Sequence, residues 1–397
     1  MKAFSIRYRS VPLLVKIIVA IGCGAGIGLV APDGVVRVMN TFCSFFSQLL
    51  GFMIPLIIVG LVTPAIARVG RGAGKMLVIT ALIAYLFTVI SGIFAYGFST
   101  TLFPSLIETV SVNALQDIGT SFDPYFTIQI PPLMEVMSAL VASFMLGLGI
   151  AAFDATNMRS FFEEFEQIVT RTISTVIIPL LPLFIFGLFM DMAASGKVGP
   201  VLSTFIMVIA VIFAMTIVLL IMQYLVAGFV ARKNPFKLLL CMMPAYFTAL
   251  GTSSSAATIP VTLERAKRNG VSEDVAGFVI PLCATIHLSG SMLKITSCAI
   301  ALMLMQSISV DFLQMLGFVL MLGVTMVAAP GVPGGAIMAA LGILETLLGF
   351  DASQQAMMIT LYIAMDSFGT ACNVTGDGAI AVIIDHIMGR KKGGEKE

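Results

Sequence analysis

Thr252-Ser-Ser-Ser-Ala-Ala-Thr-Ile-Pro260 interrupts an apolar run of about 30 residues with hydroxyls and a proline. Both flanks are basic, with Arg232, Lys233 and Lys237 before the interruption and Arg265, Lys267 and Arg268 after it. The positive-inside rule places both flanks in the cytoplasm, so the segment enters and leaves on one side and is re-entrant. Roughly 75 residues later, Ala329-Pro-Gly-Val-Pro-Gly-Gly-Ala336 breaks a second apolar run between Asp311 and Asp351, which predicts a hairpin entering from the other side. Non-helical backbone is tolerated at membrane depth only where it is buried in protein or lines a cavity. Two broken segments in corresponding positions are the sequence mark of an inverted repeat in a secondary transporter. Their free N–H groups and helix-end dipoles suit a carboxylate.

The rest of the chain agrees with a lipid solvent. Of 397 residues, 58% are hydrophobic and 11% charged, too little charge for a soluble domain of this length. The run from Val11 to Val30 follows Lys2, Arg7 and Arg9, exceeds a signal-peptide core and reads as a retained first helix. Crossings are expected at about 11–31, 38–67, 75–103, 131–155, 168–195 and 199–231. Arg68, Arg71 and Lys75 mark a cytoplasmic connection, and Glu108, Asp117 and Asp123 an outer one. With the basic tail Arg390, Lys391 and Lys392, both termini fall in the cytoplasm of an inner-membrane protein. The charged stretch Asn157 to Glu166 reads as an interfacial helix leading into the next crossing. A net charge of +1 excludes a polybasic nucleic-acid binder. The cysteines Cys23, Cys43, Cys241, Cys283, Cys298 and Cys372 lie singly in apolar stretches and read as small core residues.

The final apolar segment contains Asp366, Thr370, Asn373 and Asp377, spaced four, three and four apart and therefore on one helical face. A carboxylate at this depth costs several kcal/mol unless paired, which makes each a functional candidate. The preceding segment, from about Ala276 to Met305, carries His287 and Lys294, two turns apart if the helix is continuous; Gly290 argues for a break. A buried lysine seeks a carboxylate, with Asp366 and Asp377 both in reach. His287 is either a core imidazole or a titrating group, whereas His386, beside the basic tail, reads as interfacial. No P-loop, dinucleotide fingerprint or metal-ligand spacing is present, so gradients or a passive pore remain as sources of flux. A hydrolase using Ser253, Ser254 or Ser255 with His287 would need a third group to orient the base, and nothing in the sequence supplies it.

Thr252 to Pro260, Gly331-Val-Pro-Gly-Gly335 and Asn373-Val-Thr-Gly-Asp377, in this order and spacing, resemble the glutamate transporter family of dicarboxylate/amino acid:cation symporters. The opening Tyr8-Arg-Ser-Val-Pro-Leu-Leu-Val-Lys-Ile-Ile18 also looks like that family, and the likeness covers nearly the whole chain. It implies an all-α polytopic fold of eight transmembrane helices and two re-entrant hairpins, assembled as a homotrimer and working as an elevator. Residues 1–72 and 128–198 would form the scaffold, and 73–127 and 199–397 the transport domain. The latter would hold helix 6, hairpin 1 (about 238–268), helix 7 (about 275–305), hairpin 2 (about 311–348) and helix 8 (about 352–388), the hairpins acting as gates.

Carried over by position, Ser253, Ser254 and Ser255 of the first tip and Gly331, Val332 and Gly335 of the second would embrace the substrate. Asp366 would receive its amino group, with Thr370, Asn373 and Ser291 as polar companions. Where acidic-substrate members place an arginine, this chain has Gly369, with Ser367 and Ser253 at neighbouring alternative positions. A second carboxylate would go unpaired there, so a small neutral substrate such as serine, threonine or alanine is favoured. The alternative is an acidic amino acid or dicarboxylate, with Lys294 standing in for the arginine. The family's Asn-Met-Asp-Gly-Thr signature appears as His287-Leu-Ser289-Gly-Ser291. Tyr85 and Thr88 match sodium-site positions, but Val89, Met326 and Ala329 replace hydroxyls, and only Asn373 and Asp377 survive intact. Hard cations want several oxygen ligands, so three ordinary sodium sites cannot be assembled. Lys294 or protonated His287 is then expected to supply the missing positive charge, with Asp377 as partner. Sodium and protons both stay open as coupling ions; no enzymatic cofactor is implied.

Overall fold

A computed structural model describes residues 13–69, 75–107, 122–196, 198–327, 329 and 334–394, and contains helices and no strands among them. The expectations resting on Lys2, Arg7, Arg9, Arg71, Glu108, Asp117, Gly331 and Val332 lie outside these residues. Helix α1 spans Leu13–Gly28, α2 Asp33–Val69, α3 Lys75–Ile107 and α4 Val136–Ala152. Then come α5 (Thr156–Thr172), a π-turn (Ile173–Ile177), α6 (Ile178–Ala194) and α7 (Val198–Ala231). The charged stretch Asn157 to Glu166 thus runs on into the apolar α6, as its sequence indicated. Among the described residues, six helical segments are long and apolar enough to cross a membrane, and the protein is a multi-pass membrane protein.

The last third alternates a helix pair with a broken helix, twice. Helices α8 (Pro235–Thr252) and α9 (Ser255–Arg268) pack on each other across the two-residue tip Ser253–Ser254. Asn234 caps α8 through its side chain, and α9 ends in Arg265, Lys267 and Arg268, where cations suit the helix dipole. The span expected at 275–305 is two helices, α10 (Glu273–Ile286) and α11 (Ser289–Met305), because His287 is extended at φ −104°, ψ 104°. Helices α12 (Phe312–Val327) and α13 (Gly335–Leu348) pack as the second pair. The span expected at 352–388 is also interrupted, at Met365, between α14 (Ala352–Ala364) and α15 (Asp366–Gly394). Both breaks lie one to three residues from polar side chains; Gly290 argued for the first, and nothing in the sequence marked the second.

Packing sorts the helices into two sets. Helix α1 lies along α6, and α2 packs on α4, α5 and α6. Glycines set the first of these contacts: a Cβ on Gly24 would strike the carbonyl of Phe186, and one on Gly28 that of Met190. Helices α3 and α7–α11 pack around α15, and α12 and α13 attach to them through α3 and α11. Between the sets, the principal contacts run from α12 and α13 to α2, from α13 to α4, and from α14 to α1 and α6. Of the cysteines, Cys43, Cys283, Cys298 and Cys372 are buried, Cys241 is half-buried and Cys23 is exposed.

Candidate functional site

The first tip is built by backbone conformation as well as hydroxyls. Ser253 is left-handed (φ 50°, ψ 28°), a conformation that costs a non-glycine residue energy and here ends α8. Its Oγ shares a 2.7 Å hydrogen bond with Ser367 Oγ at the start of α15. Ser254 caps α9 by accepting from Ala257 N–H at 3.3 Å. Beside this tip lies a cavity of about 40 Å³, the room of a few water molecules. Ser253, Ser254, Ser255, Ser291, Asp366, Thr370 and Asn373 all line it, together with Thr285, Leu288, Ala329, Ala336 and Tyr362. Gly335, buried at the start of α13, follows Gly334, whose φ of +74° suits glycine.

Polar side chains tie the two broken helices together. Asn373 accepts from the Gly290 N–H at 2.8 Å and donates to Ser291 Oγ at 3.3 Å, and Ser291 pairs with Tyr362 OH at 2.9 Å. A Cβ on Gly290 would press on Gly369 O at 2.6 Å, so the two backbones meet at van der Waals distance. Asp366 accepts from the Gly334 N–H at 3.1 Å, which joins the second hairpin to the cavity floor.

Lys294 and His287, either of which was expected to partner Asp377, each have a carboxylate of their own. Lys294 Nζ lies 3.6 Å from Asp366 Oδ1, with the two side chains 1% and 11% exposed. Its ammonium also donates to Met365 O at 3.3 Å and sits 3.8 Å from the centre of the Tyr362 ring. His287 Nδ1 is 2.9 Å from Asp377 Oδ1, both side chains being fully buried. Asp377 is therefore the partner of His287 and not of Lys294. Nearby, Gln223 donates to Ser289 Oγ at 3.0 Å and Ser91 donates to the Ser289 carbonyl at 2.9 Å. Gln223 Oε1, His287 Nε2 and Asp377 Oδ2 are buried without a hydrogen-bond partner. Tyr85 and Thr88 stand apart from the cavity: Tyr85 OH donates to Leu320 O, and Thr88 to Ala84 O of its own helix.

Gly369 makes room for Lys294, since a Cβ there would strike the lysine's Cε and Nζ. Lys294 does not line the polar cavity. It borders a second, apolar cavity of about 340 Å³, walled by Ile206, Ile209, Ala210, Ile212, Phe213 and Thr216 of α7 with Met365 and Phe368. Sequence reasoning gave no role to Tyr362, Gln223 or Ser91. Gln223 was the most detectable of these, being an amide inside an otherwise apolar span.

Residues 13–387 match the profile of the sodium:dicarboxylate symporter family. Among similar proteins, the serine/threonine transporter SstT of Acinetobacter baumannii (strain AYE) is 27% identical over 397 residues, covering 95% of this chain and 97% of that one. Its counterpart from Acinetobacter baumannii strain ATCC 17978 is 28% identical over 398 residues, covering 95% and 97%. SstT of Streptococcus suis (strain 05ZYH33) is 28% identical over 343 residues, covering 83% and 94%.

Proposed function

Because the chain belongs to the sodium:dicarboxylate symporter family, whose name marks it as a transporter and not an enzyme, we propose that it carries a small neutral amino acid of the serine, threonine or alanine type. One observation carries this reading: the hydroxyl-lined cavity has a carboxylate, Asp366, for an amino group, and Lys294 lies outside its walls. An unpaired second carboxylate there would lose more than a kcal/mol or so. The small cavity and the serine/threonine relatives support the same choice. The N-terminus of α9, with backbone N–H groups that no helix can pair internally, suits the substrate carboxylate. The acidic or dicarboxylate alternative needs Lys294 to reach the cavity, away from Asp366.

On this reading the helix pairs α8–α9 and α12–α13 are the re-entrant gates. The packing supports residues 1–72 and 128–198 as a scaffold and 73–127 and 199–397 as a transport domain that moves as an elevator. We place the protein in the inner membrane as a homotrimer with both termini cytoplasmic. Transport is independent of sodium or linked to protons. Supporting this, His287 holds the Asp377 oxygen that a cation would need, and Ser289 stands where the family signature has its aspartate. The test is uptake of labelled serine into proteoliposomes, with aspartate as competitor. Serine should enter saturably, resist excess aspartate and ignore a sodium gradient; uptake that follows sodium strictly and ignores pH sinks the coupling, and preferential block by aspartate sinks the substrate.

A further inference from the structure

Asp366 stands between two unlike spaces. Ahead of it is the hydroxyl-lined cavity, and behind it Lys294 borders the apolar cavity walled by α7. A zwitterionic substrate therefore brings an ammonium to a carboxylate that already has one at 3.6 Å. The substrate brings its own carboxylate, so the site stays neutral overall, but two ammonium groups now compete for one buried carboxylate. The displaced ammonium loses its partner beside walls that cannot solvate it, and the cheaper state there is the neutral amine. The substrate's ammonium arrives tied to its own carboxylate and beside hydroxyls. Lys294 faces Ile209, Ile212 and Phe213 from α7, where an uncharged amine is the cheaper occupant.

We propose that Lys294 is a tethered counter-ammonium, holding Asp366 in the substrate-free carrier and giving up its proton when the substrate's amino group takes that place. Amino acid and proton then cross in opposite directions. The inference rests on the amino acid site proposed above and goes further by fixing the sign of the coupling. One N–H bond breaks: the lysine ammonium becomes a neutral amine, and its proton leaves through the Asp366 carboxylate to water in the cavity before the gate seals. The seat is shaped for this side chain, because a Cβ on residue 369 would strike its Cε and Nζ. The other titratable groups around it are Tyr362 from α14, Cys372 from α15 and Cys298 one turn along its own helix. From α7 the cavity wall presents apolar side chains and Thr216. The His287–Asp377 pair is a separate unit, since Asp377 is eleven residues beyond Asp366 on α15, roughly 16 Å along the axis.

Titration calorimetry of the full chain with L-serine, near neutral pH in two buffers of different ionisation enthalpy, counts the protons exchanged on binding. About one proton should be released per serine bound. In Lys294→Met release should vanish while serine binds roughly tenfold more tightly, the competing ammonium being gone. Gly369→Ala, whose added Cβ has the flexible Lys294 side chain as its nearest contact, should also suppress release and guards against misfolding of the first variant. In proteoliposomes an inside-acid gradient should accelerate wild-type serine uptake and leave Lys294→Met unaffected. Binding without release, proton uptake on binding, or release persisting in both variants overturns the inference and spares the amino acid site. Failure of every small amino acid to bind overturns both.

Discussion

Each of Asp366 and Asp377 in α15 has a basic side chain within contact, and its neighbours are arranged around that pairing. Asp377 has one oxygen on His287 and the other without a hydrogen bond, so removing the imidazole strips its last partner. His287→Leu should destabilise the protein by about 3 kcal/mol, read as a fall of several degrees in Tm by scanning fluorimetry in detergent. His287→Gln, which keeps a hydrogen-bonding group there, should lose less. The four acidic, basic and imidazole side chains could be singled out from the sequence alone, because a charge within an apolar run is conspicuous. Which cation meets which acid was not legible. Helical spacing fixes the face a side chain shares with its own neighbours, whereas the choice between Asp366 and Asp377 depends on the axial offset of two helices, set by Gly290 against Gly369.

The helix pairs announced themselves through proline, glycine and serine, and α8–α9 and α12–α13 fall within a few residues of the expected limits. The interruptions at His287 and Met365 left a fainter trace. Neither residue is a helix breaker; Gly290 pointed to the right neighbourhood but lies inside α11. What opens the chain there is tertiary: Asn373 takes the Gly290 N–H, and Lys294 takes the Met365 carbonyl. The 2.7 Å approach of Ser253 to Ser367 gives a direct probe of the first tip. Cysteines at both positions, in a chain whose six native cysteines are replaced, should form a disulfide under mild oxidation, since the hydroxyl oxygens already stand near bonding range. Serine uptake should drop at least tenfold and return with reductant; full uptake by the cross-linked protein would show that this tip need not move.

At the scale of the molecule, composition alone placed the chain in lipid, whereas the division into two helix sets came from packing. It was open to sequence reading only through resemblance, because lipid-facing and protein-facing surfaces of a membrane helix are both apolar. The sets meet where a Cβ on Gly342 of α13 would lie 2.7 Å from Ile54 of α2 and 2.9 Å from Val136 of α4. Cysteines at 54 and 342, again with the native six replaced, should cross-link and hold the two helix sets in one relative position, which on the proposed elevator reading stops transport. Net uptake should then fall to background while calorimetry still detects serine binding; undiminished uptake would refute sliding at this surface. The second hairpin has two duties, touching Asp366 through Gly334 and α2 through Gly342. On the proposed elevator reading, a door whose outer panel rests against the lift shaft cannot swing until the car has travelled. That reading then predicts an interlock against leaks at this contact surface, with passengers leaving only at a landing.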